Sequence, residues 1–210
     1  MRSAWEAALG DAVDDLHPRI REYVRAIPGG LVGRGSGEFT EAGCQSRLLR
    51  PALSVAARWG IAFPEHGVDI PFTIENRADA DGAIRATRTL HFPRRERVMV
   101  DRVREHRGLA IDALGSGGRL EAALQVSAHD GALVAASDAV RVRLGGRWWT
   151  IPRIVRPHVA LVERWDHHAQ SQHVDVRVTM PGLGLVYGYH GWFDYRVEKE
   201  FPPTHGRLGE

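Results

Sequence analysis

Residues 181–195 read PGLGLVYGYHGWFDY. The run alternates as a strand does. Leu183, Leu185, Tyr187, Tyr189, Phe193 and Tyr195 fall on odd positions, and Gly184, Val186, Gly188, His190, Trp192 and Asp194 on even ones. Successive strand side chains point to opposite faces, so the large, aromatic odd face is expected to point inward. Glycine inside a strand packs nothing and costs backbone entropy. Gly184 and Gly188 on the other face suit a strand that bends sharply to close a sheet, or one that a helix approaches closely. The stretch therefore marks sheet closure and the wall of whatever the sheet encloses.

The same period of two extends upstream to about residue 68. VDIPFTIEN, AIRATRTLHF, RVMVDRVREH, LAIDALG, RLEAALQVSA, ALVAASDAVRVRL, HVALVERW and HVDVRVTM are strand-like runs, parted by turn signals such as ADADG, GSGG, HDG and LGG. AHDGAL reads as an Asp-Gly hairpin. About eight or nine strands joined by short turns imply antiparallel pairing, because parallel pairs need long crossovers. Such a sheet must curl or close to bury one face and hide its edges.

Before this region the period is helical. Trp5, Leu9, Ala12, Val13, Leu16, Ile20, Tyr23 and Val24 recur every three or four residues. Pro18 divides this stretch into two short helices meeting near His17, and IPGG at 27–30 ends the second. A further helical region covers 46–60, with Gly60 as its C-cap. LVGRGSGEFTEAG at 31–43 reads as a weak strand or hairpin; it lacks the Gly-Lys-Ser/Thr ending of a phosphate loop. The expected fold is mainly β (α+β). It is a single domain over 1–210, with a helical N-terminal layer (1–60), an antiparallel, closed or partly closed, lipocalin-like barrel (61–200) and a flexible tail (201–210). A barrel of about eight strands has room inside for side chains or one small ligand.

Composition narrows the function classes. The 210 residues are 43% hydrophobic with a formal net charge of +2, ordinary for a globular domain. Acidic residues are interspersed among the arginines, so no basic stripe points to nucleic acid. The single cysteine, Cys44, excludes an internal disulfide and fits a reducing cytoplasm. The N-terminus is not a signal peptide, and no apolar run is long enough to span a membrane.

Polar residues on apolar faces are the candidate chemistry. Arg88 shares a face with Ile84, Ala86, Leu90 and Phe92, and Glu163 with Val159, Leu161 and Trp165. A buried charge must be paired or reach water, so Arg88 and Glu163 are expected to meet inside the barrel or to line a wet cavity; a bulge that shifts register would put either outside. Tyr187 and Tyr189 need hydroxyl partners if buried. In LGGRWWTIP, one of Trp148 and Trp149 is expected to face inward. DHHAQSQH at 166–173 has no metal-ligand spacing, and no Gly-x-Ser-x-Gly elbow occurs. Neither a metal nor another cofactor is expected.

LHPRIREY (16–23), FPEHGVDIPFTIEN (63–76), RTLHF (88–92), LGGRWWTIP (144–152), VERWD (162–166) and MPGLGLVYGYHGWF (180–193) together resemble an uncharacterised bacterial family catalogued as a domain of unknown function. The resemblance implies a bacterial cytosolic domain found alone or fused to saccharopine-dehydrogenase-like or short-chain NAD-dependent reductases. It supplies no catalytic residues.

The residues themselves lead to a barrel that binds a small apolar or aromatic metabolite, polyketide- or terpenoid-like, and acts as a cofactor-free cyclase or isomerase of bacterial secondary metabolism. Glu163, Tyr189 and His190 are the catalytic candidates. Arg88, Tyr187, Phe193, Trp149 and Trp165 are the ligand-binding ones. The alternatives are a ligand carrier serving a separate reductase, and a structural domain without a cavity. Oligomeric state is open.

Overall fold

A computed structural model describes residues 2–200; the tail expected at 201–210 lies outside them. Eleven strands follow the helices' first appearance: β1 (Leu31–Cys44), β2 (His66–Ala78), β3 (Ile84–Phe92), β4 (Arg95–His106), β5 (Leu109–Leu114), β6 (Leu120–His129), β7 (Ala132–Leu144), β8 (Arg147–Thr150), β9 (His158–Asp166), β10 (Ser171–Met180) and β11 (Gly184–Lys199). Their order is β6-β5-β4-β3-β2-β1-β11-β10-β9-β7-β8, and β6 also pairs with β7. That last pairing joins the ends of the sheet. The result is a closed, lipocalin-like antiparallel barrel of ten strands, with β8 as a short hairpin on the far half of β7. Closure removes the exposed edges that an open sheet would present.

The sequence runs map onto strands almost one to one. At the β6–β7 turn Asp130 and Gly131 both have positive φ, 49° and 78°, the conformation of a tight hairpin matched to strand twist. One part of the expected division needs correction. Residues 31–44 do not belong to a helical layer: β1 lies between β2 and β11 in the barrel wall. The segment read as a weak strand or hairpin is a full barrel strand, its signal weakened by glycines. Gly35 sits opposite Tyr195 and Ile74, and Gly37 opposite Phe193 and Phe72. The missing side chains on β1 make room for bulky ones on both neighbours. A Cβ on Gly37 would lie 2.0 Å from the Trp192 carbonyl oxygen and 2.5 Å from Phe193 Cα.

Three bulges tighten the curve, one of them on β7, where Ala123 pairs with Ala139 but Leu124 with Ser137, leaving Asp138 extra. Phe39 pairs with Gly191 and Glu41 with His190, leaving Thr40 as an extra residue. Val178 pairs with Tyr187 but Thr179 with Leu185, leaving Val186 extra. A bulge bends its strand and reverses the alternation beyond it. Hence Phe39, Ala42 and Cys44 are all buried despite mixed parity, and Val186 and Tyr187 are buried side by side.

Helices cap both ends. α1 (Ala4–Leu9) starts with a capping box between Ser3 and Glu6, and its Ala4 amide bonds the Gly82 carbonyl on the β2–β3 turn at 3.0 Å. α2 (Pro18–Val24) has Pro18 in its first turn, and the preceding His17 amide bonds Gly131 on the β6–β7 turn at 2.9 Å. These turns share one end of the barrel. The opposite end is crossed by α3 (Arg50–Ala56), whose C-terminal turn ends at left-handed Gly60. There Ser116 donates to the Trp59 carbonyl at 2.7 Å and Val100 to the Gly60 carbonyl at 3.2 Å. No α3 side chain is fully buried. Among the described residues no helix is long and apolar enough to cross a membrane.

Candidate functional site

The barrel encloses a cavity of about 400 Å3. Its α3 end is mostly apolar, lined by Leu49, Leu53, Trp59, Leu144 and Met180, with exposed Arg119 over the Trp59 ring and Arg143 at its edge. Its middle and its α2 end carry Asn76, Arg88, Asp101, Asp112, Glu163 and Tyr189. Each polar group stands there because of strand parity. Arg88 lies between inward Ala86 and Leu90 on β3, Asp101 between Met99 and Val103 on β4, and Asp112 two residues from Ala110 on β5.

Arg88 Nη1 donates to Asp101 Oδ2, forming an ion pair whose side chains are 14% and 6% exposed. Burial works against the guanidinium charge, and Asp101 holds it charged. Asp101 Oδ1, Asp112 Oδ1 and Asn76 Oδ1 are buried and accept no hydrogen bond from the protein. Asn76 Nδ2 is used, donating to the Tyr195 hydroxyl at 3.3 Å.

Glu163 is 3% exposed, and its Oε2 accepts from Gln172 Nε2 at 2.6 Å. Burial pushes its pKa up to about 7, against the pull of Arg88 and the Gln172 bond. Burial and then the charge of Asp101 push Asp112 up to about 8, Arg88 opposing. Both carboxyls can exchange a proton near neutral pH, the property that general acid–base groups need. Tyr189 is pushed up to about 12 by burial despite Arg88, so its hydroxyl stays a neutral donor. Tyr187 points its hydroxyl at Met99 Sδ, 3.8 Å away, and burial raises its pKa as well.

Residues 16–193 match the family described as Domain of unknown function (DUF4166). The chain belongs to this family. It is also 27% identical over 187 residues to a Bacillus subtilis (strain 168) protein named Uncharacterized protein YndH, covering 85% of this chain and 90% of that one. The matched DUF4166 region contains every cavity residue of the polar wall, from Tyr23 on α2 to Tyr189 on β11.

Within this DUF4166 barrel the expected residues separate into groups. Arg88, Glu163, Tyr187 and Tyr189 line the cavity together. Arg88 and Glu163 face the same space, but the partner of Arg88 is Asp101. Phe193 is core: its ring meets Tyr23 edge-on at 5.7 Å and Phe72 at 5.8 Å. Trp165 leaves the cavity at the α2 end and stacks on His17 at 5.6 Å. Trp148 and Trp149 are both partly or fully exposed, at 39% and 58%, so the expectation that one faces inward is corrected. The reason is that β8 hangs on β7 outside the ten-strand ring. His190 is exposed, with Glu41 and Asp175 as its cross-strand neighbours. It sits on the outer face, one residue from inward Tyr189, and does not reach the cavity.

Asn76, Asp101 and Asp112 were missed by the sequence reading, yet their signal is the one that found Arg88. Ile70, Phe72 and Ile74 lead to Asn76; Met99 and Val103 flank Asp101; Ala110 and Leu114 flank Asp112. Each is a polar residue at an inward position of an alternating run.

Proposed function

We propose that this chain binds a small, mostly apolar organic molecule within its barrel and catalyses an isomerisation or cyclisation with its own side chains. The observation that carries the reading is Glu163: a carboxyl with a pKa of about 7, facing a cavity of about 400 Å3 whose far end is mostly apolar. Ligand sites of this kind are concave, largely apolar and furnished with a few convergent polar groups.

In the reaction, the Glu163 carboxylate removes a proton from an acidified C–H of the ligand. The C–H electron pair moves into the adjoining conjugated system, and the protonated Glu163 returns the proton at another carbon, so no atom or electron is gained or lost. Tyr189, neutral and buried, donates a hydrogen bond to the oxygen on which charge develops. The closed barrel holds one ligand conformation and excludes bulk water, which supplies orientation.

Native mass spectrometry of freshly purified protein tests binding. A co-purified molecule that is lost on Ala122→Phe, which fills the cavity, supports the reading; identical spectra for both proteins count against it. With the molecule identified, Glu163→Gln separates catalyst from carrier. Turnover is expected to fall about 10²–10⁴-fold with binding retained. Unchanged turnover removes the acid–base role and leaves a carrier.

A further inference from the structure

Five strand positions line up across the wall at the height of the ion pair. Gly33 on β1 pairs with Asn76 on β2, Asn76 with Ala86 on β3, Ala86 with Asp101 on β4, and Asp101 with Leu114 on β5. Asp112 lies two residues from Leu114, beside Val103 and Ala122. Ala86 separates Asn76 from Asp101 and Ala122 flanks Asp112, and both small residues line the cavity; the place over Gly33 is filled by the Tyr195 ring. Three oxygen atoms on residues that line the cavity here are buried without a protein partner: Asn76 Oδ1, Asp101 Oδ1 and Asp112 Oδ1. Asn76 and Asp101 are 3% and 7% exposed. Buried polar atoms left without a partner are costly, so a wall carrying three of them is incomplete.

The missing element has a definite chemistry. Asn76 Oδ1 accepts only, as do Asp101 Oδ1 in its ion pair with Arg88 and Asp112 Oδ1 once its carboxyl is ionised, so the complement of the ionised wall is a donor. The charges acting on Asp112 are Asp101 from β4 and Arg88 from β3, and Glu163 from β9, Tyr23 from α2 and Tyr189 from β11 line the same cavity. Three carboxyls thus line the buried polar part of the cavity with one guanidinium, Arg88, already engaged by Asp101, while Arg119 and Arg143 lie exposed at the α3 end. A buried excess of carboxyls favours a cation. A protonated amine brings one positive charge and up to three donors on a compact head.

We propose that the Asn76–Asp101–Asp112 wall seats the protonated amine of the ligand, whose apolar body extends toward Leu53 and Trp59 beneath α3. This rests on the reading that the cavity binds a ligand, and it names the ligand's class. Asp112 holds its proton at neutral pH in the empty barrel. Seating an ammonium beside it expels that proton.

The test uses three probes of one shape: 4-phenylbutylamine, 4-phenylbutanol and 4-phenylbutanoate, each titrated calorimetrically into the full chain. The amine is expected to bind at least about 10-fold more tightly than the alcohol, a gap of about 1.4 kcal/mol, with the carboxylate weakest. Amine binding near neutral pH is expected to release about one proton, read from the dependence of heat on buffer ionisation. Amine affinity should rise between about pH 6.5 and about pH 9 as Asp112 ionises unaided. Asp112→Asn keeps the size of the side chain and is expected to abolish the proton release and the amine preference over the alcohol. Alcohol and amine binding equally overturns the amine seat and leaves the cavity reading standing. Alcohol affinity that falls as pH rises through about 8, with no amine preference, assigns the wall to an acceptor ligand held by protonated Asp112 and also overturns it. Failure of all three probes to bind overturns the seat together with the reading beneath it.

Discussion

Arg88 and Asp101 are bonded to each other inside the barrel, from adjacent strands, with side chains 14% and 6% exposed. Their Cα atoms are not cross-strand partners: Arg88 pairs with Met99 and Asp101 with Ala86. The diagonal reach brings the guanidinium to the centre of the polar wall. Breaking such a pair by removing one partner strands a buried charge and costs about 3–5 kcal/mol, whereas replacing both with apolar residues is often far milder. Arg88→Met should therefore lower unfolding stability severely. The double variant Arg88→Met, Asp101→Leu should recover most of the loss, as measured by denaturant titration. Equal losses in single and double variants would show that the pair is not coupled.

Glu163 and Asp112 should give the protein a pH dependence of opposite sign to that of ordinary carboxylates. Glu163 rises from 4.5 to about 7 on folding and Asp112 from 3.8 to about 8. Between those values the native state binds more protons than the unfolded chain, so stability falls as pH rises. The loss is complete once pH exceeds the folded value. Glu163→Gln removes its share while Gln172 still has an oxygen to bond. At pH 8 the variant should be more stable than the parent by a few kcal/mol, at about 1.4 kcal/mol per pKa unit; near pH 4.5 the two should converge. Parallel stability–pH curves would contradict the burial of this carboxyl.

Gly37 is predicted to be nearly irreplaceable. A Cβ there meets backbone atoms of Trp192 and Phe193 at 2.0 and 2.5 Å, and backbone in a closed sheet cannot swing aside as a side chain can. Gly37→Ala should cost at least about 3 kcal/mol, in the range reserved for severe steric conflict. Gly29→Ala is the control, since nothing lies within 4 Å of its added Cβ, and it should stay within about 0.5 kcal/mol. Thermal unfolding of the two variants decides the matter.

His190 and Trp149 lie outside the cavity, so replacing them should leave cavity binding intact. His190→Ala and Trp149→Ala are each expected to keep ligand affinity within about twofold of the parent, as befits exposed positions. A loss of about 10-fold or more for either would place the binding surface on the outer face of the barrel.

Much of this protein was legible in one dimension. The period of two from residue 68 onward and its Asp-Gly and Gly-rich turns forced an antiparallel sheet, and His17-Pro18 and Gly60 marked helix boundaries that the fold respects. Strand alternation is a local, steric property, so it also pointed Arg88, Glu163, Tyr187 and Tyr189 inward before any contact was known. β1 read only as a weak strand or hairpin outside the barrel, because glycines weaken its pattern and its place in the wall depends on aromatic side chains that arrive from β11, more than 150 residues later.

Pairing across that distance was decided by tertiary structure alone. Sequence parity showed which residues face the interior but not which of them meet. That Arg88 is held by Asp101, and that Asn76, Asp101 and Asp112 lie together on one wall of the cavity, follow from strand register. Register is a cooperative outcome of closing ten strands into a ring, because a shift of one residue reverses every side chain at once. The local pattern determined a barrel with polar residues inside; the closure of β6 on β7 turned them into one site.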